Sequence, residues 1–188
     1  RTCDKAQPMS DIKQFLKDHA ITEVEAIIPD MAGVARGKIM PADKYAEDEG
    51  MRLPESLFLQ TVTGEYPDDD SAIHPSEIDI DLIGDPKTIR VVPWAAEPTA
   101  QVIHDCFYDD GRPVPMAPRY VLRRVLDLYA AKGWRPVVAP ELEFFLVEPN
   151  IDADYPLKPP IGRSGRAEIG RQAYSIAAVN EFDPLFDD

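Results

Sequence analysis

The sequence predicts an α+β fold whose character changes near residue 112, and three observations carry that prediction. Residues 10–109 set one amphipathic helical stretch among many short β-rich runs, the pattern of an α+β module. Residues 116–134, MAPRYVLRRVLDLYAAKGW, then hold a sustained helical period. The composition, 44% hydrophobic and 29% charged over 188 residues, supports a core and argues against wholesale disorder.

In chain order, Ser10 precedes DIKQFLKDHA, where Ile12, Phe15, Leu16 and Ala20 recur at helical spacing, so a helix capped by Ser10 is expected. TEVEAIIPD and VARGKIMP flank MAG and read as a hairpin, with Pro29 and Pro41 marking its ends. PADKYAEDEG predicts a short helix and SLFLQTVTG a strand, and EYPDDDSAIHPSE is a polar loop with a solvated charge run. IDIDLI, KTIRVVP and TAQVIHDCFY are strand candidates, followed by a turn at Asp110-Gly111. In the next helix Pro118 suits the first position, Val121, Leu122, Val125, Leu126 and Tyr129 form one stripe, and Gly133 ends it. After Pro149 the chain turns Pro- and Gly-rich, and AAVNEFDPLFDD closes it as a helix. The domains are therefore placed at 10–111 and 112–188.

Twenty Lys and Arg against 34 Asp and Glu give a formal charge of −14. Such a field repels phosphate backbones, so no nucleic-acid partner is expected, while metals or amines suit it. Cys3 and Cys106 alone do not make a disulfide framework, and no 18-residue apolar run or secretory h-region is visible, so a cytoplasmic protein without a membrane partner is expected. Arg1 is not an initiator methionine, and Met9 is a candidate start.

Residues 137–149, VVAPELEFFLVEP, place Glu141 and Glu143 inside an otherwise apolar run. In a strand Glu141, Glu143 and Phe145 share one face, with the glutamate Cα atoms about 7 Å apart. Two readings compete. An edge strand would turn the glutamates to water. Alternatively, each carboxylate takes one ion of a two-metal site, because burying bare anions is costly and a divalent cation compensates them. Oxygen donors favour Mg²⁺ or Mn²⁺.

Family resemblance favours the second reading. APELEFFLVEP resembles the glutamine synthetase strand that carries a metal-binding glutamate pair. IIPDMAGVARGKIMP resembles that family's N-terminal hairpin, and SEIDIDLIGDPKTIRVVPW the segment closing its small β-grasp domain. APRYVLRRVLDLYAAKGW is similar to its first catalytic-domain helix, and GRQAYSIAAVNEFDPLFDD to the segment after its mobile loop. The resemblance covers residues 10–188 in order, and VTG with APRYVL leans to the γ-glutamylpolyamine synthetase branch. It implies a β-grasp-like N-terminal domain followed by the first part of a glutamine synthetase-type catalytic domain. It also implies ATP-dependent activation of glutamate as γ-glutamyl phosphate, followed by attack of an amine. Glu143 would then ligate the metal nearer glutamate and amine, Glu141 the metal bridging the ATP phosphates, and Tyr174 would help shape the amine pocket. A ring-like homo-oligomer is implied as well.

Two departures matter. Where ammonia-using members carry an aspartate in an Asp-Gly-Ser-Ser loop, this chain reads SLFLQTVTGEYPDDD, with no aspartate before Gly64 and with Glu65 not taken as its substitute. That favours an organic amine. The family's other metal ligands, glutamate-binding arginine and nucleotide pocket lie beyond residue 188, so the chain by itself is expected to be half an enzyme without ligase activity. A glutamine synthetase using ammonia, a non-catalytic relative and a metal-dependent hydrolase are the competing functions. His104 and Cys106 could share a strand face as ligands but suit core packing better with only three histidines in the chain. GRSGR at 162–166 reads as a mobile loop rather than a phosphate cradle.

Overall fold

The computed structural model describes residues 6–69, 76–167 and 173–187. The chain divides into two compact units, residues 1–136 and 137–188.

The first unit is a mixed α/β layer. Helix α1 spans Ala6–Asp18, strands β1 and β2 span Glu23–Pro29 and Ala35–Pro41, and helix α2 covers Ala42–Asp48. Strands β3 (Met51–Pro54), β4 (Asp79–Gly84), β5 (Arg90–Val91) and β6 (Thr99–Phe107) follow, and helix α3 runs from Pro118 to Ala131. The sheet order is β2-β1-β6-β4-β3, with β5 also on β6. β1 and β2 form the expected antiparallel hairpin, in register from Glu23↔Pro41 to Pro29↔Ala35. β6 lies parallel to β1 and antiparallel to β4.

The alternation of each strand decides its face. On β1, Val24, Ala26 and Ile28 are buried, and on β6, Ala100, Val102, His104 and Cys106. Against them pack Met9, Ile12 and Leu16 of α1 and Tyr45 of α2. Met9 extends the Ile12–Leu16 stripe backward at i−3, and its burial explains why α1 starts at Ala6 rather than after Ser10. Ser10 lies inside the helix, where its hydroxyl donates to Asp11 Oδ1 at 3.3 Å, so it is not the cap that the sequence predicts.

Two strand expectations change. SLFLQTVTG holds a 3₁₀ turn over Glu55–Leu59 followed by an irregular loop. Glu55, Ser56, Leu57 and Phe58 are buried consecutively, which a strand with alternating faces cannot do. Glu55 takes part because its carboxylate accepts the Tyr108 hydroxyl at 2.5 Å. KTIRVVP keeps only Arg90–Val91 as strand, because a 3₁₀ turn over Pro86–Thr88 starts with Asp85 Oδ1 accepting the Lys87 amide at 3.1 Å.

His104 is a core residue. Its Nδ1 faces the carbonyls of Val102 and Ile27 at 3.1 and 3.3 Å, so Nδ1 carries the proton and Nε2 accepts the Tyr45 hydroxyl at 2.8 Å. Gly84 makes room for this pair, since a Cβ there would lie 2.6 Å from Tyr45 Oη and 2.8 Å from Ile12 Cδ1. Burial lowers the His104 pKa to about 4 and raises that of the Cys106 thiol to about 12.

Pro118 opens α3 and Gly133, at φ +70°, follows its end, both as the sequence indicates. The face it presents to the sheet is less expected. Arg119 Nη2 meets Asp85 Oδ2 at 2.6 Å, and Arg119 Nε meets Asp105 Oδ1 at 2.9 Å. Arg123, one turn on, reaches the same two carboxylates at 3.2 and 2.6 Å. The stripe of Val121, Leu122, Val125, Leu126 and Tyr129 is 40–57% exposed.

In the second unit the C-terminal helical stretch is two short helices, α4 (Ile176–Glu181) and α5 (Asp183–Asp187). Phe182 lies between them, and Pro184 in the first turn of α5 stops α4 from running on, since proline can neither donate to a preceding turn nor clear its carbonyl. Ser175 caps α4 by accepting the Ala178 amide at 3.3 Å.

Two outcomes are expected. His104 binds a proton in the unfolded chain below pH 6.5, but in the folded chain only near pH 4. Stability is therefore full above pH 6.5 and falls as pH drops from 6.5 towards 4, by up to about 3 kcal/mol. Asp105 and Arg119 also act on this ring, and Tyr45 bonds to it. Urea midpoints at pH 7, 6 and 5 measure the slope, and His104→Gln should flatten it. An equal slope in that variant would rule out His104 as its source. For the α3 clamp, Arg119→Met should destabilise by about 1–3 kcal/mol, because Asp85 and Asp105 lose their less exposed partner. Arg123→Met should cost under about 1 kcal/mol. The reverse order in denaturant titrations would contradict the clamp geometry.

Candidate functional site

Residues 134–152 form neither helix nor strand, so the strand expected over 137–147 is absent from this unit. Val137 is 90% exposed, Leu142 89% and Phe145 96%. The reason is pairing. Alternation in a sequence prepares two faces, but a strand exists only when a neighbour takes its N–H and C=O groups. The first backbone bond after the glutamates is Glu148 N–H to the Lys158 carbonyl at 3.1 Å.

Glu141 and Glu143 are both exposed, and neither makes a hydrogen bond or ion pair among the described residues. The structure does not carry them into a cavity. Their oxygens remain accessible and uncompensated, and such hard donors fit Mg²⁺ or Mn²⁺. The described residues hold no cluster of three His, Cys, Asp or Glu groups, so this pair alone does not complete a six-donor shell. Tyr174 is fully exposed and sits at φ +55°, in the left-handed region just before the Ser175 cap. Its hydroxyl therefore lines no closed pocket.

The GRSGR loop is tied back to α4. Glu181 accepts the Ser164 amide at 2.7 Å through its carboxylate and the Arg163 amide at 3.1 Å through its carbonyl. The Ser164 amide holds the Glu181 carboxyl below its ordinary pKa. An internal carboxylate thus takes the amide that a phosphate cradle would need.

In the first unit the loop at 60–66 is closely bonded. Thr61 N–H donates to the Glu65 carbonyl at 2.9 Å, and Gly64 N–H to the Thr61 carbonyl at 3.0 Å. Gly64 adopts φ +85°, which glycine takes without steric cost. Glu65 N–H donates to Thr61 Oγ1 at 3.1 Å, and the Thr63 hydroxyl to Glu65 Oε2 at 3.3 Å. Gln60 Nε2 donates to Tyr66 Oη at 2.9 Å. The acidic run continues through Asp68 and Asp69, while Asp70 lies outside the described residues, as does Cys3.

Sequence reasoning missed the group that supports this loop. Asp30 Oδ1 accepts the amides of Ala32 and Val34 at 2.9 and 2.8 Å, closing the hairpin turn. Asp30 Oδ2 accepts Arg36 Nε at 2.7 Å, and Arg36 Nη2 donates to the Thr61 carbonyl at 3.1 Å. Burial favours the neutral acid, but Arg36 and the two amides outweigh it and hold the Asp30 carboxyl below its usual pKa. Asp30 followed by Gly33 was a legible turn signal; the reach of Arg36 to Thr61 was not.

Residues 115–188 match the family described as glutamine synthetase, catalytic domain. The γ-glutamylputrescine synthetase PuuA of Escherichia coli K12 is 28% identical over 188 residues, covering 95% of this chain and 39% of that protein. The γ-glutamylethanolamide synthetase GlnA4 of Streptomyces coelicolor is 43% identical over 177 residues, covering 88% and 36%. A solved structure of apo GmaS without ligand is similar at a TM-score of 0.52 and 26% identity, covering 65% of this chain and 27% of that one. The chain thus spans less than two-fifths of these curated relatives.

Proposed function

Given that the chain belongs to the glutamine synthetase family, we propose that it carries the paired metal-binding glutamates of an ATP-dependent ligase joining the γ-carboxylate of glutamate to an amine. The observation that supports this most is Pro140-Glu141-Leu142-Glu143-Phe144-Phe145, lying within the matched residues and with both carboxylates uncompensated. No described helix is long and apolar enough to cross a membrane. In this reading the enzyme is cytoplasmic. In this reading residues 10–111 form a β-grasp-like domain and residues 112–188 open the catalytic domain. The complete protein assembles as a ring-like homo-oligomer.

The chemistry asks for what these residues supply. ATP transfers its γ-phosphoryl group to the glutamate carboxylate, and the amine nitrogen then displaces phosphate to leave the amide. Mg²⁺ or Mn²⁺ offsets the anionic charge that gathers on carboxylate and phosphate during transfer. Glu143 would hold an ion serving glutamate and amine, and Glu141 would hold an ion serving the nucleotide phosphates. Tyr174 contributes to the amine pocket. The remaining ion ligands and the glutamate and nucleotide pockets come from outside residues 1–188.

An organic amine is the better second substrate. The loop FLQTVTGEYP offers no aspartate before Gly64, and the names of two relatives specify γ-glutamylputrescine and γ-glutamylethanolamide as products.

In the complete protein, Glu143→Ala should lower phosphate release from ATP with glutamate and amine by about two orders of magnitude or more. The same change should leave the thermal midpoint of this chain essentially unmoved, since Glu143 is exposed and contacts no described partner. Near-normal turnover would sink the metal-ligand role. Comparing ammonium with putrescine, ethanolamine and simple monoamines should give at least about tenfold higher kcat/KM for an organic amine. Highest kcat/KM with ammonium would instead make the protein a glutamine synthetase with an altered loop.

A further inference from the structure

A cavity of about 620 Å³ opens in the first unit between β2 and β3, the two end strands of the sheet order. Lys38 of β2 reaches across, its Nζ donating to the Arg52 carbonyl of β3 at 2.7 Å. The floor is apolar. Met9, Met51, Leu82 and Ile83 line it and belong to the buried residues of this unit, with Met40 at its side. Its shape is fixed at Gly50, where a Cβ would overlap the Leu82 carbonyl oxygen. Sites for small molecules fall at about 300–1,000 Å³, are mostly apolar and carry a few polar groups at the mouth. Methionine floors also adapt to the ligand, because the side chain is unbranched and polarisable.

The mouth has a sign. Three carboxylates line it, Asp48, Glu49 and Asp81, against two cations, Lys38 and Arg52. Both cations are engaged, Lys38 as described and Arg52 by Asp81 at 2.8 Å and Asp109 at 3.4 Å. Asp48 and Glu49 meet Lys44 at 2.7 Å and Lys13 at 3.1 Å, lysines that are not part of the lining. These pairs are exposed, and such pairs are weak. Helix α2 ends at the same mouth with no basic residue in its last turn, so its terminal carbonyls add to the negative side.

We propose that this cavity binds a primary alkylammonium, with the alkyl chain on the methionine floor and the ammonium at Asp48 and Glu49. The apolar floor takes a chain out of water, and the carboxylates with the end of α2 accept the charged head. The site stands on the first unit alone and does not rest on the ligase reading.

The test titrates this chain at pH 7 and low ionic strength with butylammonium, hexylammonium, hexanol and hexanoate, following the amide resonances of Gly50, Arg52 and Ile83. Hexylammonium should shift them saturably with a Kd of about 1 mM. Butylammonium should bind about tenfold more weakly, since two buried methylenes are lost. Hexanol should bind about fivefold more weakly than hexylammonium, and hexanoate should give no saturable shift. Asp48→Asn combined with Glu49→Gln changes two exposed side chains and leaves the floor intact. It should weaken hexylammonium about fivefold and leave hexanol binding unchanged, which also reports that the cavity is still folded. No saturable shift at these amides with hexylammonium overturns the site. Equal affinity for hexanoate, or an unchanged Kd for hexylammonium in the double variant, overturns the ammonium assignment. Equal affinity for butylammonium and hexylammonium overturns the role of the floor.

Discussion

Strand β6 is the constraint on which the first unit depends. Backbone N–H and C=O groups buried away from water must be paired. β6 is paired on both sides, by β1 along one edge and by β4 and β5 along the other. A strand flanked in this way cannot contain proline, and Thr99–Phe107 contains none. Its inward residues make the middle of the core, and its outward Asp105 takes Arg119 and Arg123 of α3. The histidine on the inward face is accommodated because both ring nitrogens have partners and Gly84 yields the space that Tyr45 needs.

The elements that the sequence announced correctly were those set by local chemistry. The hairpin around Gly33, α2, the Asp110-Gly111 turn and both ends of α3 each depend on a residue whose backbone preference acts within a few positions. The misread elements depended on distant contacts. Ser10 lost its capping position because Met9 has a buried place in the core. Leu57 and Phe58 look like strand residues, but consecutive burial next to the Glu55–Tyr108 bond required a 3₁₀ turn. The α3 stripe was legible as a stripe, yet which face met the sheet was decided by Asp85 and Asp105, residues 34 and 14 positions from Arg119.

The candidate site divides along the same line. The glutamate pair is visible as a motif because two carboxylates in an apolar run conflict with ordinary burial. Its geometry was not visible, because a pleat with Glu141 and Glu143 on one face needs a pairing partner, and residues 137–147 have none among the described residues. Five of the apolar residues around the pair, Val137, Val138, Leu142, Phe144 and Phe145, are each more than 60% exposed. Exposure on that scale is the mark of a surface suited to packing rather than to solvent.

Charge connects these parts. For the proposed reaction a chain at −14 would be a poor host for glutamate and ATP, both anions, and a good host for an ammonium group. Paired carboxylates resolve that conflict only when they hold divalent cations, which reverse the local sign where phosphate must sit. The amine needs no such reversal. It needs a negative group at a defined position, and a solvated run of aspartates gives attraction without position, since exposed charges are screened within about 10 Å at ordinary salt. The loop at 60–66 holds its one carboxylate, Glu65, by hydrogen bonds. Its carboxylate is bonded to Thr63, Thr63 contacts Thr61, and Thr61 is held by a guanidinium anchored on a buried aspartate. The sheet that buries Asp30 at the end of β1 is thereby linked, bond by bond, to the Glu65 carboxylate.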